Sequence, residues 1–256
     1  LEGAPKGMLE YYGDCKTIAE LAKKAAAMPG ADFVCLRFAG AEPGDGEKTV
    51  EECVQIAKEV AEAIDIPLVI AGCKNVQKDA QLFEKVAEAL SGKNVLFLSA
   101  KEENHKTVGA SVGLAYAQKV GAESAVDINL AKQLNVLLTQ LGVAKENIVM
   151  NLGSAAAGYG FEYVASTIER VKLAALTQGD AMLQMPVITP VASETWSVKE
   201  ALASEEEMPE WGDQEQRGIQ MEIVTAAACL AAGSDAVILK HPVSVATISA
   251  MIAALM

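Results

Sequence analysis

Seven short runs of nearly unbroken apolar residues, separated by amphipathic segments, limit this chain to a narrow set of folds. They lie at residues 33–38, 67–73, 94–100, 124–129, 148–152, 185–191 and 235–241. None shows the in–out alternation of a strand with one wet face. Both faces are therefore meant for burial, which is the pattern of a parallel sheet covered by helices.

The segments between the runs carry helix punctuation. Thr17 followed by Glu20, and Thr49 followed by Glu52, have the spacing at which a hydroxyl caps a backbone N–H and the glutamate returns the bond. After Thr49, the residues Val50, Cys53, Val54, Ala57, Val60, Ala61 and Ile64 keep one apolar stripe until Pro67 opens the next strand. Asn129 is placed to cap a helix whose stripe is Leu130, Leu134, Leu137, Leu138 and Leu141, and Gly142 stops it.

Strand and helix in regular alternation over 256 residues predict an α/β fold, a TIM-type (β/α)8 barrel in one domain. Eight strands are needed and seven are counted. The first helix, near residues 17–28, has no strand before it, and residues 1–14 are expected to form an irregular lead-in. The first strand is accordingly expected upstream of Leu1. An open doubly wound sheet is the competing architecture, with helices split between two faces and a ligand at one switch point.

A net charge of −13 argues against nucleic acid or an anionic membrane as the main partner, because both require basic surface. Small molecules and proteins fit better. Cys15, Cys35, Cys53, Cys73 and Cys229 are odd in number and widely spaced, so neither an iron–sulfur cluster nor a structural zinc is indicated. They point to a reducing, cytoplasmic compartment and mostly to core packing, with Cys73, just past a strand, as the exception. No leader-like start and no apolar run of about 18 residues is present, so neither secretion nor membrane spanning is expected.

In a barrel, function gathers in the loops after the carboxyl ends of the strands. GSAAAGYG at residues 153–160 is one such loop, with small residues that admit a close or bulky planar ligand; it matches neither a Walker loop nor G-x-G-x-x-G. Asp127 and Asn129 form a second candidate, a carboxylate and an amide on one side of a strand end, with capping by Asn129 as the competing reading. The third is residues 189–217, which hold Trp196, Trp211 and the acidic group Glu205, Glu206 and Glu207. Tryptophan beside charge suggests a protein interface, although either ring could fill a gap between helices, and the glutamates read as a solvated helix start. His105 lies in a polar loop, while His241 ends the last strand and is a candidate to face a ligand. No metal set and no nucleophile elbow can be assembled from these residues, which favours a binding scaffold.

Several segments together resemble the small, delta-type subunit of the corrinoid iron–sulfur protein of the acetyl-CoA decarbonylase/synthase system. They are ADFVCLR at 31–37, IPLVIAGC at 66–73, VDIN at 126–129, AGYGFEY at 157–163, IERVKLAAL at 168–176, MPEWG at 208–212 and KHP at 240–242. The resemblance runs from about Gly30 to the end. It implies a TIM barrel, without catalytic residues or metal ligands of its own, paired as a heterodimer with a larger subunit that carries cobalamin and a [4Fe–4S] cluster. Such an assembly moves a methyl group from a methyltetrahydrofolate or pterin methyltransferase to acetyl-CoA synthase/CO dehydrogenase, the carbon-fixing Wood–Ljungdahl route. The corrinoid would lie between the large subunit and the carboxyl-end loops of the barrel. The implied contacts are Asp127, Asn129, Asn151, Ser154, Gly158, Tyr159, Gly160 and His241, with Tyr163 also near the rim.

Two places depart from the family pattern. Asn151-Leu152-Gly153 stands where the family usually has Asp-Pro-Ser or Asp-Pro-Thr, and Lys240-His241-Pro242 where it has Arg- or Leu-His-Pro. A pterin-dependent methyltransferase barrel is the second reading, with Asp127 and Asn129 as pterin ligands. A generic aldolase-type barrel is the third; it requires a lysine at a strand end, which only Lys74, Lys101 and Lys240 approach.

Overall fold

The computed structural model describes residues 4–44 and 47–256. Among them are seven strands, β1 (Val34–Arg37), β2 (Leu68–Ala71), β3 (Leu96–Ala100), β4 (Lys119–Glu123), β5 (Ile148–Asn151), β6 (Ile188–Thr189) and β7 (Ala236–Val237). β1 to β5 form one parallel ladder in chain order, and β6 pairs with β7. A bridge between Met150 and Val187 carries the ladder from β5 toward β6. A strand order that never reverses is that of a TIM-type barrel and leaves no switch point for a doubly wound sheet. Among the described residues no ladder joins β7 back to β1.

Two apolar layers explain why the runs do not alternate. Outward-facing Val34, Leu68, Ile70, Phe97, Val120, Ala122, Ile148 and Met150 meet the helices, whose buried stripes include Cys53, Ala57, Val60, Phe83, Leu134, Leu138 and Ile168. Inside the barrel, Val69, Leu98 and Ile188 pack with Phe33, Cys35, Ala71, Val149, Ala236 and Ile238. Both strand faces are thus dry.

Both capping boxes form: Thr17 and Glu20 open the helix Ile18–Ala26, and Thr49 and Glu52 open Val50–Ala63. Gly142 ends Ile128–Leu141 in the left-handed region, at φ 112°. Six of the seven strands lie within the expected runs.

The fourth strand does not. Residues 124–129 are a turn and a helix start, with Ala125 and Val126 at φ 46° and 61°, while the strand is Lys119-Val-Gly-Ala-Glu123. Its two charged ends and central glycine hide it from an apolar count. Gly121 is there because a Cβ at that position would sit 2.4 Å from Leu98 Cδ2, inside the barrel. The cap of the next helix is correspondingly Asp127, whose Oδ1 accepts the N–H groups of Asn129 (2.8 Å) and Leu130 (3.1 Å), so Asn129 is not the cap. The lead-in is also more ordered than expected. Lys6–Tyr12 is a helix that packs Met8 and Tyr12 on Met28, and residues 1–3 lie outside the described residues. The long excursion after β6 folds into short helices, Val191–Thr195, Lys199–Leu202 and the 3-10 turn Pro209–Trp211.

Candidate functional site at the barrel mouth

Every second residue of a barrel strand points inward, so the last inward residue of each strand forms a ring at the carboxyl end. In β1 the inward set Phe33 and Cys35 continues to Arg37; β4 ends on Glu123, β5 on Asn151, and the line of Ala236 and Ile238 runs on to Lys240. Between Phe97 and Ala100 the ladder of β3 with β4 slips by one residue, a bulge that turns Ser99 as well as Lys101 toward the interior. All of these side chains line one cavity of about 1550 Å³. Polar groups stand at its mouth, above the apolar layer.

Most of the ring is internally satisfied. Lys101 Nζ lies 3.1 Å from Glu123 Oε1. Asn151 Nδ2 donates to Ser99 Oγ (3.1 Å) and Glu123 Oε2 (3.3 Å), and its Oδ1 accepts the Gly153 N–H (3.1 Å). Asp79 occupies the space a side chain at Gly72 would need, 2.3 Å from that Cβ, and accepts the Cys73 N–H at 2.7 Å. Burial raises the Asp79 pKa, and the Cys73 N–H opposes that rise. Burial likewise raises the Cys73 thiol, so the one cysteine past a strand end is held as an unreactive thiol.

The wall next to β7 is organised by a fully buried carboxylate. Glu222, on the helix Gln214–Ala232, accepts the N–H groups of Lys240 (2.6 Å) and His241 (3.2 Å). Burial raises its pKa; Ser244, those two N–H groups and the Trp196 indole pull the other way. His241 caps the helix Pro242–Leu255 by accepting the Val243 N–H at Nδ1 (3.2 Å), which fixes the tautomer so that Nε2 donates to Glu215 Oε1 at 3.0 Å. The same Glu215 oxygen accepts the Gly7 N–H (2.7 Å), and Trp196 stacks on the His241 ring with centroids 5.8 Å apart. Desolvation in the cavity lowers the Lys240 pKa below the ordinary lysine value.

The sequence-derived candidates therefore divide. Asn151 and Ser154 line the cavity, and the Ser154 hydroxyl is buried without a partner. Gly158, Tyr159 and Gly160 belong to the loop after β5; Gly158 and Gly160 turn at φ 84°, and the Tyr159 hydroxyl donates to Glu200 at 2.6 Å across the rim. His241 is a buried structural cap beside the wall. Asp127 and Asn129 sit at an exposed helix start outside the cavity lining. Of the tryptophans, Trp196 serves the wall, and Trp211 lies under the cations of Lys199 and Arg217. Sequence reading missed Arg37, Ser99, Glu123, Glu215 and Glu222. Arg37 and Glu123 had a signal, a charge at the carboxyl end of a strand; Glu222 had none, since its burial depends on packing between helices. Among the described residues, no group of three or more His, Cys, Asp or Glu could hold a metal ion, and no helix is long and apolar enough to cross a membrane.

Comparison with known proteins gives a consistent picture. A family model described as CO dehydrogenase/acetyl-CoA synthase delta subunit matches residues 5–248. The chain is 32% identical, over 253 residues, to acetyl-CoA decarbonylase/synthase complex subunit delta 1 of Methanosarcina thermophila, covering 96% of this chain and 57% of that protein. It is 34% identical, over 246 residues, to subunit delta of Methanothermobacter thermautotrophicus, covering 96% and 62%. This chain thus spans somewhat over half the length of these relatives. Similar solved structures include the dihydropteroate synthases of Thermus thermophilus (TM-score 0.60, 14% identity, 93% of this chain and 88% of that one) and Yersinia pestis (0.57, 14%, 91% and 85%). At that identity the likeness concerns the fold alone.

Proposed function

The chain belongs to the CO dehydrogenase/acetyl-CoA synthase delta subunit family, and from that premise we propose that its barrel mouth shelters a corrinoid against a larger subunit carrying the corrinoid and an iron–sulfur cluster. The chain acts as a noncatalytic partner in methyl transfer between a methyltransferase and acetyl-CoA synthase/CO dehydrogenase.

The observation that carries this reading is the rim. Val126 in the loop after β4, Tyr159 in the loop after β5, Tyr163 on the helix Phe161–Thr177 that follows it, and Leu202 in the excursion after β6 all expose apolar surface, and Val126 also lines the cavity. Clustered exposed apolar groups around a concave opening are the mark of a covered surface. A corrinoid fits the chemistry of the residues present. Its broad apolar face suits the rim, its peripheral amides suit Asn151 and the unpartnered Ser154 hydroxyl, and a Cβ at Gly158 would meet nothing within 4 Å. When bound, a cobalt corrinoid supplies the methyl-carrying centre. The part played by this chain is to line, orient and keep water out. Both His241 nitrogens are engaged in structural hydrogen bonds, which suits a wall better than a ligand to cobalt.

Copurification tests the proposal: the chain should emerge with a larger subunit whose absorption spectrum is that of a corrinoid. Asn151→Ala combined with Tyr159→Ala should lower corrinoid retention several-fold. Unchanged retention removes the contact assignment, and a colourless monomer with full methyl-transfer activity overturns the proposal.

A second reading draws on one observation, the pairing of a carboxylate with an amide, Glu123 with Asn151, inside the mouth. Such a pair can bind a pterin edge. Asp127 and Asn129, outside the cavity, are poorly placed for that task. Methyl transfer from a methyl-pterin by this chain alone would favour it.

A further inference from the structure

Three neighbouring strands bring polar side chains together inside the barrel. Ser99 lies in β3 and Lys101 directly follows it, Glu123 ends β4, Asn151 ends β5, and all four line the cavity. Ser99 and Asn151 are buried, at 6% and 5% exposure. Of the lysine–carboxylate pairs among the described residues, Lys101 with Glu123 is the one that has both partners in the cavity lining. Beneath the group the interior layer is apolar, and its Leu98 and Ala71 face the same space. A few fixed polar groups on an otherwise apolar concave wall are the usual build of a small-molecule site.

The bonds within the group leave part of its capacity free. Ser99 Oγ accepts the Asn151 amide N–H at 3.1 Å, and among the described residues its own O–H has no acceptor. Lys101 Nζ lies 3.1 Å from Glu123 Oε1 and, among the described residues, has no other partner for its remaining protons. Glu123 receives Lys101 on one oxygen and Asn151 on the other, and each oxygen keeps a second lone pair. Donor and acceptor capacity therefore stand side by side, at the spacing of that ion pair. A ligand edge that carries a carbonyl oxygen next to an N–H addresses both. Charge narrows the choice further: Glu123 repels an anionic group, Lys101 repels a cationic one, and a wall of low dielectric makes both penalties large.

We propose that Ser99, Lys101 and Glu123 form a binding site for the neutral amide edge, lactam or carboxamide, of a small molecule in the barrel mouth. Its carbonyl oxygen accepts from Lys101 and Ser99, and its N–H donates to Glu123. A free lactam ring and a peripheral carboxamide of a corrinoid present this same edge. The site rests on the carboxylate used in the second reading above and adds the donors that complete it. It stands whether or not this chain transfers methyl groups.

Calorimetric titration of the full chain separates the two sources. Hypoxanthine supplies the lactam and dicyanocobinamide the carboxamides. At least one should bind saturably, with little dependence on salt because the edge is uncharged, and the tighter of the two identifies the source. Each has a counterpart without the N–H beside the oxygen, 6-methoxypurine and heptamethyl dicyanocobyrinate, and the counterpart of the binder should be at least tenfold weaker, since it leaves Glu123 without its donor. Lys101→Met and Glu123→Gln, introduced together so that neither charge is left unpaired, should weaken binding at least tenfold with an unchanged far-ultraviolet circular dichroism spectrum. Ser99→Ala, which keeps the ion pair, should weaken it several-fold. Lys132→Gln, whose lysine pairs with Asp180 outside the cavity lining, should leave it intact. Corrinoid retention with a larger subunit and methyl transfer from a methyl-pterin are separate measurements, and either can fail while this binding holds. No saturable binding of hypoxanthine or dicyanocobinamide at millimolar concentration, equal affinity for the counterpart, or equal affinity in the doubly substituted protein overturns the proposal.

Discussion

The β1–β5 arc and the β6–β7 wall solve the same problem by different means. In the arc, long parallel registers press apolar side chains against a shell of helices, and its largest fully buried side chains include Phe83, Phe97, Leu134 and Leu138. In the wall the strands are two residues each, and polar groups hold them. Thr189 Oγ1 and Ser234 Oγ lie 2.8 Å apart, Asp235 accepts the Val187 N–H at 2.7 Å, and Glu222 and Glu215 fix the turn after β7. Short strands give little ladder and little area, so orientation there depends on hydrogen bonds that are costly to leave half-made. The arc is a packing structure and the wall a polar one.

Different substitutions should therefore damage the two. Phe97 meets Phe83 edge-on at 5.7 Å and is fully buried. Phe97→Ala should cost roughly 3–5 kcal/mol in urea unfolding, with little dependence on pH. A pH-dependent loss would show that the arc also rests on titrating groups. Glu222→Gln should cost about 1–3 kcal/mol at acidic pH, because its amide nitrogen cannot accept the second of the two N–H groups. The sign with pH follows from the direction of the shift. The native pKa of Glu222 is raised above 4.5, so its stabilising contribution is complete below that value and is lost as pH rises through the native pKa. The gap between wild type and Glu222→Gln should narrow as pH rises. A gap that widens would mean that the carboxylate is native in its charged form.

The arc is also the part that could be read from sequence. Its strands are apolar on both faces and its helices carry complete capping boxes at Thr17 and Thr49, so local signals and final structure agree. β4 is the exception, since Lys119, Gly121 and Glu123 are in the strand for reasons that lie across the barrel. Gly121 makes room for Leu98, and Glu123 meets Lys101 and Asn151. The candidate site was legible where small residues announced a loop, as at Gly153 and Ser154, which line the cavity, and illegible where a side chain's place depends on register. Arg37 and Lys240 come to line one cavity only once the strands are placed in the barrel. The wall was hardest to foresee, because a glutamate in an amphipathic helix looks solvated until a turn after β7 surrounds it.

Within the wall, Gly218 marks how closely the polar elements are fitted. A Cβ there would fall 2.3 Å from Trp196 Cζ3, so the indole must move and take its contacts with His241 and Lys240 with it. Gly218→Ala should cost toward the lower end of roughly 1–3 kcal/mol, with a change in the near-ultraviolet circular dichroism of the tryptophans. An unchanged spectrum would show that the ring is not held by this contact.

The smallest effect is expected where arc and wall meet at the rim. Tyr159, after β5, donates to Glu200, in the excursion after β6, and this is a side-chain link between the two regions at the mouth. Tyr159 is 48% exposed, so water replaces the lost bond readily, and Tyr159→Phe should give no resolvable change in the thermal midpoint. The charge state records the link instead. The Tyr159 hydroxyl bond is the first cause that lowers the Glu200 pKa below 4.5, so the variant should let Glu200 titrate closer to that value, as carboxyl-carbon NMR would read. If the thermal midpoint falls while the Glu200 titration stays put, the phenol is acting as packing between arc and wall, and the division of the barrel into two independently held regions does not extend to its rim.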